Sequence, residues 1–173
     1  MKLKKNRIFI FLFFLIIVWG GFRGNAREAR YRWEMMNQIR RDKFDLILPK
    51  VMRENNIDMW ITVMKEGNYG PLFEDLGRGY ISDIAYYVFT DLGGDRIERA
   101  VLGIDGYSLR QCGAYDIFGS AGDLKEFVRK RDPKRIGINI SEKIGAADSL
   151  TYMSYLHLKK TLGKPYSERL VSA

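Results

Sequence analysis

The sequence has a single cysteine, Cys112, and a single histidine, His157, among its 173 residues. One thiol excludes a disulfide bond within the chain. One histidine and one cysteine do not supply a typical zinc site, and the carboxylates form no obvious cluster along the chain. We therefore expect Cys112 to be a small packed side chain. Because helical spacing places His157 beside an apolar stripe, we expect it to pack or to lie at the rim of the core.

The excess of positive charge is concentrated at the N-terminus. The formal net charge is +8, but the first 26 residues hold five cations and no acid, which leaves 24 cations against 21 anions in the remainder. A hydrophobic share of 46% is ample for one packed domain. The distribution of charge argues against a nucleic-acid partner, since a polyanion-binding protein carries its basic residues on the folded surface.

The N-terminal segment has the three parts of an export signal. Cations come first, an apolar run from Ile8 to Trp19 follows, and Gly24 and Ala26 stand at a spacing compatible with cleavage. The sequence thus predicts a signal peptide over residues 1–26, or a membrane anchor if the segment is not cleaved. We expect an exported protein, periplasmic or extracellular, whose contact with a membrane is limited to this segment.

Helix and strand patterns alternate over the mature chain, residues 27–173. A charged helical stretch over 30–55 is predicted to bury the face that carries Phe44, Ile47, Leu48, Val51 and Met52. Pro49 predicts a kink or a new helix start, and Asn55 and Asn56 predict the end of the helix. A buried strand over 59–64 follows.

The next segments predict a loop, a hairpin and a capped helix. The glycine-rich stretch 65–83 predicts an exposed loop with one helical turn near Leu72 to Leu76. Two β-type runs flank a turn over 91–95. Ser120 to Asp123 form a capping box before a helix that ends in Arg129, Lys130 and Arg131. These three cations suit the negative end of the helix dipole, which favours a structural role over polyanion binding.

The last third of the chain predicts a strand, a helix and a final strand. Pro133 stops the preceding helix, "IGINI" alternates as a strand, and Asp148 or Ser149 is the expected cap of a helix that runs to Leu162. The closing "ERLVSA" is strand-like, so we expect the chain to be interrupted rather than finished there. Asn139 to Ser141 match the glycosylation acceptor pattern, a motif that often occurs by chance.

Motifs for catalysis and nucleotide binding are missing from the sequence. The glycines of "GNYGPLFEDLGRG" match neither a phosphate-binding loop nor a dinucleotide fingerprint. The serine of "GSAGD" is one place away from a nucleophile elbow. Asp83, Asp91 and Asp95 are expected to form turns. The sequence therefore assigns no catalytic, cofactor-binding or metal-binding residue.

Three segments resemble a known domain: "RRDKFDLILPKVMRENNIDMWITV", "DPKRIGINIS" and "LGKPYSERLVSA". They are similar to the N-terminal domain of pita-bread metallopeptidases, the family of creatinase, prolidase and aminopeptidase P. The sharpest elements are Ile57 to Trp60 and Arg135 to Ile138. The resemblance implies an α/β fold in which helices flank a mixed β-sheet. The loop 67–83 departs from the segment common in that family, which leaves the subfamily and the substrate open.

In that family the catalytic work belongs to a second, C-terminal domain. Two Asp, one His and two Glu of that domain hold a pair of divalent metal ions that activate water, and none of those positions exists in this chain. The resemblance therefore implies no cofactor here. It implies a truncated, noncatalytic domain of an exported Xaa-Pro aminopeptidase-like protein, inactive alone, with a role in oligomerisation and substrate access.

The alternative is a free-standing exported binding domain of the same fold. Expected partners are a second copy of the chain or a peptidase catalytic domain.

Overall fold

A computed structural model describes residues 26–173. The described residues belong to two units, which meet in sequence between Gln38 and Ile39. The predicted signal segment lies outside the described residues, apart from Ala26. Helix α1 covers residues 26–42, of which 26–38 are the described part of the first unit. There, exposed ion pairs join Arg30 to Glu34 and Arg32 to Glu28 across one helical turn. In the part of the chain that the structure describes, no helix is long and apolar enough to cross a membrane.

The second unit is built on a six-stranded mixed β-sheet. Its strands are β1 (Met59–Lys65), β2 (Tyr80–Thr90), β3 (Glu98–Asp105), β4 (Ile117–Gly119), β5 (Ile136–Ile138) and β6 (Leu170–Ser172). They lie in the order β4-β3-β2-β1-β5-β6. The β1, β2 and β3 strands pair antiparallel, whereas β4 adds parallel to β3, β5 adds parallel to β1, and β6 adds parallel to β5. The predicted mixed α/β fold class is confirmed.

Helices cover both faces of the sheet. They are α2 (Leu48–Glu54), α3 (Phe73–Leu76), α4 (Tyr107–Gln111), α5 (Leu124–Arg131) and α6 (Tyr152–Leu162). One face packs against α2, α3 and α4 through Met52, Phe73 and Leu109. The other packs against α5 and α6, mainly through Val128 and Leu158. The sheet therefore has an apolar core on each side.

The predicted interruption at Pro49 is confirmed. Residues Lys43–Ile47 form a π-helical segment, and α2 starts afresh at Leu48 with Pro49 in its first turn. A proline is tolerated there because the first amides of a helix have no partner within it. Asn55 caps α2, and Asn56 has a positive φ of 53°. The extra residue of the π segment turns the helical surface, so that Phe44 and Met52 are buried.

Several local predictions are wrong. Ile47 and Val51, predicted to be in the core, are 55% and 44% exposed. The predicted loop 65–83 ends earlier, because β2 begins at Tyr80, and Asp83 lies within that strand and is not a turn former. The cap of α6 is Thr151, whose side chain accepts a hydrogen bond from the Ser154 amide, and not Asp148 or Ser149.

Other local predictions are confirmed. The hairpin joins β2 to β3, the helical turn within the loop is α3, and the Ser120 capping box precedes α5. Strands form at 136–138 and 170–172 as expected. The elements that the sequence did not predict, α4 and β4, are both short.

A candidate ligand pocket

An apolar pocket of about 390 Å³ lies at one end of the sheet. Helix α2 forms one wall, Trp60 of β1 and Asn139, just after β5, form another, and Ile144, Ala147 and Ala173 complete it. Its volume is near the lower end of the range usual for small-molecule sites, ~300–1,000 Å³. The site therefore has room for a compact ligand.

The polar centre of the pocket is the Asn139 side chain. Its Oδ1 accepts hydrogen bonds from Trp60 Nε1 at 3.0 Å and from Thr62 Oγ1 at 3.1 Å. Register explains this meeting: Trp60 lies opposite Gly137 in the parallel β1–β5 pair, so that Thr62 and Asn139 come next along the same face. An indole N–H can only donate, which fixes the amide with its oxygen toward Trp60.

One hydrogen-bonding group of Asn139 remains for a ligand. The side chain is only 6% exposed, and among the hydrogen bonds of the described residues none uses its Nδ2. The backbone is fixed as well, because the Asn139 carbonyl accepts from the amides of Ser149 and Leu150 at 3.2 and 3.0 Å. The result is a rigid amide donor at a pocket that Asn139 lines.

Asn55 supplies a second amide at the rim. Its Nδ2 donates to the Val51 carbonyl at 2.9 Å, an arrangement that the carbonyl, as an acceptor, dictates. The Asn55 Oδ1 is thus the group that a ligand can reach. The pocket therefore offers one amide donor, from Asn139, and one amide acceptor, from Asn55.

The remaining walls are apolar. Leu48, Met52 and Ile57 line the side nearest α2, and none of the lining residues has an ionisable side chain. The Trp60 ring stacks on Phe89 with centroids 5.0 Å apart, which holds the indole in place. The lining side chains offer no counter-charge to a charged ligand, which would lose its hydration here, so these side chains favour a neutral one.

The absence of a side chain at Gly137 allows Ala173 and Ile57 to pack closely against β5. A Cβ at Gly137 would lie 3.0 Å from the Ala173 Cβ and 3.2 Å from Ile57 Cγ2, and both of those residues line the pocket. Trp60 and Gly137 belong to the segments that carry the resemblance, whereas Asn139 matched the glycosylation acceptor pattern. The burial of Asn139 does not suit glycosylation, which requires an exposed loop. The sequence feature that could have indicated this site is Asn139 as the single polar residue of the predicted strand "IGINI".

Cys112 and His157 lie outside this pocket. Cys112 is 1% exposed, and its Sγ donates to the Leu109 carbonyl, which confirms a packed thiol. His157 is exposed on α6 beside a small pocket of about 160 Å³ that Asp83 and Lys65 also line. Within residues 26–173, no group of three or more His, Cys, Asp or Glu side chains is placed to hold a metal ion.

The basic end of α5 is largely paired with acids. Arg131 bonds Glu98 of β3 at 2.5 Å, and Arg129 bonds Glu126 at 2.7 Å. The Arg129 hydrogen bond lowers the pKa of the Glu126 carboxyl below its usual value. Asp132 ends the helix in a left-handed conformation. These contacts agree with the predicted structural role of the basic cluster.

Comparisons with known proteins do not assign this chain to a family. No family model matches the chain, and no curated protein matches it. Among solved structures, the chain is similar to an Xaa-Pro dipeptidase from Bacillus anthracis, with 13% sequence identity and a TM-score of 0.43. The match covers 82% of this chain and 33% of the dipeptidase, so the chain spans about a third of that protein's length. A similarity at this level does not establish a family.

Proposed function

We propose that the chain acts as a noncatalytic α/β domain of an exported Xaa-Pro aminopeptidase-like protein, where it contributes to oligomer contacts and to substrate access. The observation that carries this proposal is the pairing of the two sharpest segments of the resemblance. Trp60 lies directly opposite Gly137 in the parallel β1–β5 pair. Asp58 Oδ2 accepts from the amides of Lys134 and Arg135 at 2.8 and 2.9 Å. Segments that lie about 75 residues apart in sequence thus form one structural unit.

An exposed apolar row supports association with a second copy of the chain. Leu46 is 76% exposed, Ile47 is 55% exposed and Val51, one turn after Ile47, is 44% exposed. Adjacent apolar side chains of this size are a feature of interaction sites on soluble proteins. Under this proposal the row Leu46, Ile47 and Val51 is an oligomer contact.

Light scattering of the purified full chain over a range of concentrations tests the proposed contact. We expect a dimer or a larger oligomer, and we expect Ile47→Glu to weaken association at least tenfold, because the glutamate would be buried without a partner. Leu92→Glu is the matched control, since Leu92 is 62% exposed and lies outside the row. A monomeric chain at all concentrations, or equal effects of the two variants, would contradict the proposed contact.

A free-standing binding domain is the second candidate function, and the pocket around Asn139 favours it. The two candidates differ in what association does to peptidase activity. A catalytic domain of the Xaa-Pro peptidase class that gains stability or changes its peptide preference when mixed with the chain would support the first. A chain that binds a small ligand but leaves such a domain unaffected would support the second.

A further inference from the structure

We propose that the pocket around Asn139 binds a neutral, mainly apolar ligand that carries an amide, whose carbonyl accepts a hydrogen bond from Asn139 Nδ2. This inference does not depend on the proposed role in oligomer contacts. It concerns the pocket between α2 and the carboxyl end of β5, which shares only Val51 with the proposed oligomer contact.

Asn139 carries the donor that a ligand would use. Its Oδ1 accepts from Trp60 and Thr62, and among the hydrogen bonds of the described residues none uses its Nδ2. The residue is only 6% exposed, but Nδ2 itself is not fully buried, so the donor can be reached from the pocket that Asn139 lines. A ligand carbonyl would replace water as its acceptor.

Asn139 and Asn55 together complement an amide group. A peptide-like group presents one acceptor and one donor, and the pocket presents the reverse pair in Asn139 Nδ2 and Asn55 Oδ1. Apolar residues surround both groups, including Trp60 and Ile57. The walls would take an aliphatic side chain, since burial of apolar surface is favourable.

The rigidity of the recognition groups lowers the entropic cost of binding. Trp60 is held by the stacked Phe89 ring and by the Asn139 hydrogen bond. Asn139 is held by its backbone bonds to Ser149 and Leu150. The recognition groups are thus in place before a ligand arrives.

Titration of the full chain with N-acetyl-leucine methylamide, followed by NMR, tests the proposal. We expect saturable shifts of the Trp60 indole N–H signal and of the Asn139 side-chain amide signals. N-acetyl-glycine methylamide has the same amides without the apolar side chain, and we expect it to bind at least tenfold more weakly. Absence of saturable shifts at these two residues, or equal binding of the two probes, would overturn the proposal.

One variant tests the amide donor, a second tests the pocket volume, and a third is the control for introducing a phenylalanine. Asn139→Asp keeps an oxygen for Trp60 and Thr62 but replaces the donor with an acceptor, so we expect at least tenfold weaker binding near neutral pH. Binding should recover at lower pH, where the carboxyl group of the variant is protonated and can donate. Ala147→Phe should fill the pocket and abolish binding, whereas Ala29→Phe, at an exposed site on α1, should not. Wild-type affinity in Ala147→Phe would overturn the proposal, as would unchanged binding in Asn139→Asp at neutral pH.

Discussion

Arg99 is a charged side chain in the sheet, on β3, with only 2% of its surface exposed. Its guanidinium forms an ion pair with Asp45 of the π-helical segment, donates to the Ala114 carbonyl, and lies 5.3 Å from the centre of the Phe44 ring. A buried cation depends on its partners for stability, and here Nε has no hydrogen bond among the described residues, so the Asp45 pair and the Ala114 carbonyl carry that role. This one residue therefore connects the sheet to the π-helical segment.

Loss of the counter-charge should destabilise the protein. We expect Asp45→Asn to lower the free energy of unfolding by about 2 kcal/mol, less than the ~3–5 kcal/mol for a fully buried pair, because Asp45 is half-exposed. Arg99→Met combined with Asp45→Asn should cost less than Asp45→Asn alone. Chemical denaturation measures these differences. Glu142→Gln, at an exposed site, is the control, and an Asp45→Asn variant as stable as this control would refute the expectation.

Asp91 should make stability depend on pH. Its carboxylate accepts from Arg53 at 2.7 and 3.0 Å and from the Gly93 amide at 2.9 Å. The Arg53 hydrogen bond, with that of Gly93, holds the pKa of Asp91 below its usual 3.8. A lowered pKa in the folded state contributes stability above the unfolded pKa, and this contribution is lost as pH falls through the folded pKa.

Comparison of wild type with Asp91→Asn tests this direction. We expect wild type to be more stable by a constant amount above about pH 5, and the difference to shrink as pH falls below the usual aspartate pKa. Denaturation curves at pH 7, 5 and 3 measure it. A stability difference that grows toward low pH would show that the sign is wrong.

At the scale of elements, the irregular β2–β3 pairing depends on Gly103. The register passes from Ile81 opposite Ile104 to Tyr86 opposite Leu102, so that Gly103 faces four residues of β2. Gly103 has a φ of +84°, and a Cβ there would lie 2.7 Å from the Ala121 Cβ. A glycine is required at this bulge for both reasons.

Gly103→Ala should therefore destabilise the protein by about 2–4 kcal/mol, since it adds both backbone strain and overpacking. Thermal and chemical denaturation measure the loss. Gly145→Ala is the matched control, because a Cβ at Gly145 meets no atom within 4 Å and its φ is not positive. Similar effects of the two substitutions would contradict the assigned role of Gly103.

The sequence predicted the elements that carry a strong local signal better than those that do not. Strong local signals predicted the strand over Met59 to Met64, the hairpin and the Ser120 capping box. All three formed as expected. Helix α4 and strand β4 have five and three residues, too few to show a period, and tertiary pairing with β3 determines β4. The exposure of Ile47 follows from the π segment, which helical periodicity does not anticipate.

The candidate pocket could not be predicted in the same way. It depends on the register that aligns β5 with β1 and brings Asn139 to Trp60, 79 residues earlier in the chain. Local sequence patterns do not give the register of a parallel pair, because the partners are distant in sequence. What the sequence offered was the single polar residue in "IGINI".

At the scale of the whole molecule, we expect the hydrolysis of Xaa-Pro peptides to need metal-binding and catalytic groups from outside this chain. We predict that the purified full chain binds no stoichiometric divalent metal and releases no amino acid from Xaa-Pro peptides in the presence of Mn²⁺. Elemental analysis and a peptidase assay measure these properties. The proposed noncatalytic role would be wrong if the pure chain turned over such peptides or held two metal ions.

The position of β1 at the centre of the sheet has a consequence for synthesis on the ribosome. Its antiparallel neighbour β2 emerges soon after it, whereas its parallel neighbour β5 is complete only at Ile138. Until then, the backbone N–H and C=O groups on one edge of β1 have no strand partner. They can pair with a neighbouring nascent chain. Translation speed over the 70 or so codons between β1 and β5 should therefore affect the yield of folded protein.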